Sequence, residues 1–194
     1  MAKRKIYLLD GHPDAKSFGA CIAKAYGEGA REGGHDVRFS AVRTLKFSPN
    51  LTYGYRRPKK LEPALQTAQE NLTWCEHFVL TTPVWWFGLP AQTKGFFDRV
   101  FLPDFAFRFQ PGTPFWDKLL EGKSSRVLYT QGSPQLAIRL LRGDCFWKGL
   151  GEGTLEFCGF KPVERTVMAG MDFSSPAKRD TWLSNARALG RRGA

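Results

Sequence analysis

The segment from Pro83 to Phe101, PVWWFGLPAQTKGFFDRVF, concentrates flat aromatic surface in a short turn. Trp85, Trp86 and Phe87 stand side by side there, between Val84 and Gly88. Aromatic faces of this kind stack on conjugated ring systems and orient them. The plain alternative is that they are core, but three consecutive rings cannot all turn inward from one tight turn. At least one is therefore expected to be exposed or to face a ligand. A second candidate group is His12, Lys16, Ser17 and Phe18, which brings a cation and a hydroxyl to the start of a helical pattern. Unpaired N–H groups and the positive end of a helix dipole favour a phosphate at such a place, although a plain capped helix would look the same. The third is the polar stretch Thr130-Gln131-Gly132-Ser133. Neither G-x-G-x-x-G after the first apolar run nor G-x-x-x-x-G-K-S/T occurs, so a phosphate site here is of another kind.

These three groups are held by elements that the hydrophobic pattern makes visible. Phe78 to Thr82 is a short apolar run of the sort that forms a central strand covered on both faces, and it should end at Pro83, which cannot donate to a sheet ladder. Pro90 suits a first helical position, and Phe96, Phe97, Val100 and Phe101 recur at helical spacing behind it. Lys5 to Leu9 reads as a first strand. A helix should follow from Ser17 as N-cap, with Phe18, Ile22, Ala25, Tyr26 and Ala30 on its buried face and Gly33-Gly34 at its end. Asp36 to Phe39 begins a second strand, and Lys46 to Lys60 is expected to be an excursion over the surface. Leu61, Leu65, Ala68, Leu72 and Cys75 restore helical spacing. Phe105 to Phe109 alternates as a hairpin arm would, Arg126 to Thr130 is another core strand, Thr166 to Met168 a last one, and Ser175-Pro176 opens a final helix. Five strands alternating with helices predict an α/β fold, a five-stranded parallel sheet with helices on both faces and a small hairpin insertion. All three candidate groups then fall at strand carboxyl ends, where open α/β sheets bind ligands.

At 194 residues, with no linker or composition break, the chain reads as a single domain spanning 1–194. A hydrophobic content of 42% with 24% charged residues argues against extended disorder. No membrane insertion is expected, and the charged start Ala2-Lys3-Arg4-Lys5 with its short apolar run does not look like a signal peptide, which points to the cytoplasm. The four cysteines lack C-x-x-C spacing and the three histidines are scattered, so no metal is expected. A net charge of +11 favours anionic partners. Its basic residues lie in small clusters with no reader motif, so nucleic acid is not the expected partner.

The sequence resembles the flavodoxin-like NAD(P)H:quinone oxidoreductases, a family that includes DT-diaphorase-type enzymes, bacterial modulators of drug activity and ancillary oxidoreductases of potassium efflux systems. The blocks that carry the resemblance are GHPDAKSF at 11–18, PVWWFGLPAQTKGFFDRVF at 83–101, FAFRF at 105–109, TQGS at 130–133 and LEFCGF at 155–160. The resemblance implies a flavin, with His12, Ser17 and Phe18 at its phosphate and ribityl region and Lys16 beside them. Pro83, Val84, Trp85, Trp86 and Phe87 would line the isoalloxazine, and Thr130, Gln131 and Gly132 would face its pyrimidine edge. It further implies FAD, with FMN as the close alternative, NAD(P)H as co-substrate and a quinone-like acceptor using the same pocket in turn. Asn50 to Tyr55 would cover an adenine. In the family the active site lies at a homodimer interface, so Phe105, Phe107 and Phe109 would serve the substrate pocket and reach the partner subunit.

Two departures from the family pattern stand out. Phe107 and Phe109 replace tyrosines that some members carry in the hairpin, and they can pack against a quinone but not hydrogen-bond it. The Tyr and His to which the family assigns proton transfer fall near Leu136 and Arg142 here, which leaves no acid-base side chain assigned. Arg142 has two readings, as a cation for an anionic hydroquinone or as an ordinary surface arginine. A second function class is a flavin-binding regulatory or accessory subunit of a partner such as a transporter, with weak catalysis. A third is an electron-carrier flavodoxin, against which the basic charge argues.

Overall fold

The computed structural model describes residues 2–57 and 59–194. Met1, the first residue of the expected single domain, and Pro58, inside the expected surface excursion, lie outside the described residues. The strands are β1 (Lys5–Asp10), β2 (Asp36–Ala41), β3 (His77–Pro83), β4 (Phe107–Phe109), β5 (Trp116–Lys118), β6 (Ser124–Gln131) and β7 (Val163–Ala169). The helices are α1 (Phe18–Glu32), α2 (Pro63–Trp74), α3 (Ala91–Val100), α4 (Gln135–Arg142), the one-turn α5 (Cys145–Trp147) and α6 (Pro176–Arg192). Directly after α5 runs a π-helical segment, Lys148–Glu156.

Five strands form one parallel sheet in the order β2-β1-β3-β6-β7, and β4 with β5 make a separate antiparallel hairpin. The chain leaves β1 toward one edge and returns as β3 on the other side of it, so the order reverses between these strands and opens a crevice at their carboxyl ends. β3 and β6 are buried along their whole length, as expected of strands covered on both faces. One face is closed by α1 and α6, with Ile22, Tyr26, Ala30 and Ala186 packed on Ile6, Leu8, Val79 and Leu128. Gly29 and Gly190 let these helices touch backbone to backbone, since a Cβ at either would collide with a carbonyl of the facing helix. On the opposite face α2 and α3 bring Leu65, Leu72, Phe96, Phe97 and Val100 onto Tyr7, Leu9, Phe78 and Leu80.

The expected strands and the 3.6-period helices are present, each within a few residues of its predicted bounds. Pro83 is the last, buried residue of β3, and Pro90 is the N-cap of α3 rather than its first residue. Sequence patterning did not find α4, α5 or the π-helical segment. Glycines at 149, 151 and 153 interrupt any apolar period there, yet this segment buries Leu150 and Leu155 against the core.

A polar cluster closes the amino-terminal end of the sheet. The Ser124 hydroxyl accepts from Arg4 Nη2 at 2.6 Å and lies 2.8 Å from His77 Nδ1. Burial first, then the nearby Arg4 and Arg126, push His77 down to about 3 from its usual 6.5. The unfolded chain takes up this proton below about pH 6.5, whereas the folded chain refuses it until about pH 3. Stability should therefore fall with falling pH across that window, by up to about 1.4 kcal/mol per pH unit from this group. His77→Gln, which cannot ionise, is expected to flatten the dependence of the urea-unfolding free energy on pH between about pH 6 and pH 4 relative to the unsubstituted chain.

Candidate functional site

The loop after β1 is built around Asp10, a carboxylate that is 1% exposed. A buried carboxylate needs partners. Arg43 Nη1 lies 2.5 Å from Oδ2, the His12 N–H donates to Oδ1 at 3.0 Å, and Arg43 also donates to the His12 carbonyl at 3.2 Å. Thr93 of α3 adds a 2.6 Å hydrogen bond to the Gly11 carbonyl. His12 is thereby fixed at the mouth of the crevice. The Asp14 N–H donates to His12 Nδ1 at 3.0 Å, which leaves the ring proton on Nε2. Burial lowers the His12 pKa and outweighs the opposing pull of Asp10 and Asp14, so the ring is neutral near pH 7.

Ser17 caps α1, its hydroxyl accepting from the Ala20 N–H at 3.1 Å, while the Cys21 N–H bonds the Ser17 carbonyl. First-turn N–H groups have no acceptor within their own helix, so those of Phe18 and Gly19 remain for a ligand. At Gly19 a Cβ would come within 3.3 Å of the His12 ring, which lies over this helix start. Lys16 is exposed beside it, and Phe18 leans on Trp182 at 6.1 Å.

Trp86 and Phe87 occupy the two central positions of a tight turn closed by reciprocal hydrogen bonds between Trp85 and Gly88, at 3.0 and 2.9 Å. Both have positive φ, 51° and 58°, a region that bulky residues seldom enter. All three rings are exposed, Trp86 almost fully at 98%. The His12 and Trp85 rings meet edge to face at 5.8 Å, joining the first loop to the second. Val84 donates to the Thr130 carbonyl at 2.8 Å and so joins the second to the third. In the third loop Thr130 and Gln131 are buried, and the Gln131 amide donates to the Ser133 carbonyl and to Gln135 Oε1. Gly132 sits against Asp172, where a Cβ would approach Oδ2 to 2.7 Å.

Beside the aromatic turn, on the α3 side of the sheet, lies a cavity of about 460 Å³. Its wall includes Phe87, Phe107 and Phe109 together with Tyr55, Phe146 and Phe157. The structure thus groups the predicted residues in two places, with Phe87 shared: the three loops along the sheet edge, and the hairpin phenylalanines at the cavity. Phe105 is not at this cavity; it faces a groove on α2 beside Gln69 and Trp74. Arg142 does not line it either, being exposed at the end of α4 with Nη1 on the Leu141 carbonyl. Sequence reasoning missed Asp10 and Arg43, whose pairing depends on strand register, and the cavity residues of the π-helical segment. Tyr55, the last residue of the segment Asn50 to Tyr55 expected at an adenine, reaches the cavity wall.

A family profile described as flavodoxin-like fold matches residues 4–190. The chain belongs to this flavodoxin-like family. Among its relatives is the ribosyldihydronicotinamide dehydrogenase (quinone) of Mus musculus, 29% identical over 210 residues, covering 95% of this chain and 90% of that protein. NAD(P)H dehydrogenase (quinone) 1 of Cavia porcellus is 26% identical over 210 residues, covering 94% and 74%. Among solved structures, Smu.1420 from Streptococcus mutans UA159 superposes with a TM-score of 0.82 at 27% identity, covering 96% of this chain and 98% of that one. The flavodoxin-like strand order, with its reversal between the first and third strands, is the order found here.

The aromatic turn of this flavodoxin-like chain carries a testable strain. Left-handed backbone at a bulky residue costs on the order of 1 kcal/mol or more, and the Trp86 ring buries almost nothing in return. Trp86→Asn is expected to raise stability by up to about 1 kcal/mol, read as a higher midpoint in thermal unfolding.

Proposed function

We propose that the three loops hold a flavin and that the chain is a flavin-dependent oxidoreductase passing two electrons from NAD(P)H to a quinone or similar small acceptor. The observation that carries this reading is the convergence, at the reversal point of the sheet, of a capped helix start, an exposed aromatic turn and a polar third loop beside an apolar cavity. The names of the quinone dehydrogenase relatives agree with it. A flavin bound there would supply the two-electron chemistry itself.

The residues present fit such a group. The free N–H groups of Phe18 and Gly19, the Nε2 proton of His12 and the Lys16 ammonium would hold phosphate. Pro83, Val84, Trp85, Trp86 and Phe87 would orient the ring system, and the backbone around Thr130, Gln131 and Gly132 would present N–H dipoles where negative charge develops. Phe107 and Phe109 would pack against the acceptor. Arg142 reads as a surface arginine, and no side chain is needed as a covalent catalyst. The His12-x-x-x-x-Ser17-Phe18 pattern favours FAD, with FMN as the alternative.

The same reading makes the chain a single cytoplasmic domain that works as a homodimer. No helix among the described residues is long and apolar enough to cross a membrane. The support for a dimer is α4, which buries no residue and leaves Leu136, Leu140 and Leu141 about 70% exposed, together with the almost fully exposed Trp86 of the aromatic turn. Apolar surface of that extent marks an interaction site.

Mixing the flavin-loaded protein with NAD(P)H in the absence of oxygen should bleach the yellow absorbance; a colour that persists would reject the oxidoreductase reading. Mass spectrometry of the released cofactor should return FAD. Leu140→Asp should raise the dimer dissociation constant about tenfold or more by sedimentation, and an unchanged constant would place the dimer contact elsewhere.

A further inference from the structure

The cavity wall is mostly apolar, and several of its polar groups are engaged. Lys94 is ion-paired with Asp98 at 2.6 Å, both residues lining the cavity. The Thr154 hydroxyl donates to the Gly149 carbonyl at 2.8 Å. Tyr55 differs from both. Among the described residues it is the sole tyrosine of the wall and the sole contribution of the Lys46 to Lys60 excursion; it stands at the cavity mouth, 65% exposed, with no protein hydrogen-bond partner for its hydroxyl.

One edge of its ring joins a train of aromatic contacts. Tyr55 meets Phe107 edge to face at 6.5 Å, Phe107 meets Phe157 at 5.2 Å, and Phe157 stacks on Trp116 at 4.4 Å. Trp116 is anchored in turn by its indole N–H on the Phe157 carbonyl at 2.9 Å. The base of the excursion is clamped from α3. Arg99, 0% exposed, donates to the Ser48 carbonyl at 2.6 Å, to the Lys60 carbonyl at 3.1 Å and to Glu62 Oε2 at 2.8 Å. Burial alone would raise the Glu62 carboxyl, but the bonds from Arg99 and the Ser48 N–H hold it below its usual value. Gly95 completes the clamp, because a Cβ there would collide with Pro49.

We infer that Tyr55 is the specificity-determining residue of the acceptor pocket, its hydroxyl donating a hydrogen bond to a carbonyl oxygen of a quinone-class acceptor packed against Phe107. The inference rests on the reading of the cavity as the acceptor site. It supplies from the excursion the hydroxyl that phenylalanines at 107 and 109 cannot offer.

The test compares two acceptors on the flavin-loaded protein: 1,4-naphthoquinone, with two carbonyl oxygens, and ferricyanide, with none. Tyr55→Phe is expected to raise the ratio of KM for naphthoquinone to KM for ferricyanide by about three- to tenfold, the range for losing one neutral hydrogen bond. Arg56→Gln, in the same excursion but outside the cavity lining, should leave that ratio within about twofold. An unchanged ratio in Tyr55→Phe overturns the inference. So does a rise in both KM values by the same factor, which would mean a general loss of structure. A measurement independent of turnover is the binding of naphthoquinone and of naphthalene to the oxidised protein, followed by tryptophan fluorescence. The unsubstituted protein should prefer the quinone and Tyr55→Phe should lose that preference; equal affinities in the unsubstituted protein overturn the inference. If NAD(P)H fails to bleach the flavin, the oxidoreductase reading falls, while this binding comparison still decides the role of Tyr55.

Discussion

Two backbone hydrogen bonds hold the functional edge of this protein together. Gly11 donates to the Thr81 carbonyl at 2.7 Å and Val84 donates to the Thr130 carbonyl at 2.8 Å. Each continues the ladder of a parallel strand pair one step past the end of regular structure. Because parallel strands need crossovers that bury both sheet faces, these bonds exist only once the two cores have formed. The loops after β1, β3 and β6 are therefore not independent flexible segments. They are the unpaired remainder of one rigid ladder, and this is why residues more than a hundred positions apart in the chain can serve one ligand.

Around that ladder the protein distributes its polar and apolar costs unevenly. Buried charges are met with several partners each: Asp10 has Arg43 and the His12 N–H, and Arg99 has Glu62 and two carbonyls. The sheet's carboxyl edge is the reverse case. There Trp86 and Phe87 hold left-handed backbone, and the leucines of α4 face outward. Strain and exposed apolar surface gathered on one edge are what a binding edge requires and what a purely structural edge would avoid.

Much of this was legible from residue order. The period-2 and period-3.6 patterns placed the sheet strands and the helices that cover them, because burial of one stripe is a local consequence of where apolar residues fall. Ser17 was legible as a cap for the same reason, since its bond to the Ala20 N–H spans one turn. The exposed aromatic turn followed from geometry, as three adjacent rings cannot share one buried side. What escaped had non-local causes. α4 is the exception, since Leu136, Leu140 and Leu141 mark a helical stripe in the sequence although it faces no core, whereas the glycines of the π-helical segment conceal a helix that only long-range packing sustains. Tyr55, expected with Asn50 to Tyr55 at an adenine, is set beside Phe107 only by the packing of the excursion, whose base Arg99 holds from far along the chain.

By itself, then, the sequence determined the alternation of strands and helices, the strand ends where the three candidate loops begin, and the aromatic character of the second loop, all of which depend on contacts within a few residues. Tertiary structure alone decided which residues share a wall: that Phe107 and Phe109 line a cavity with Phe87 while Phe105 faces α2, that Asp10 takes Arg43 as partner, and that Tyr55 ends beside Phe107. The physical reason is that side-chain partners across elements are set by sheet register and helix docking, which arise from the packing of the whole core and have no signature in any single segment.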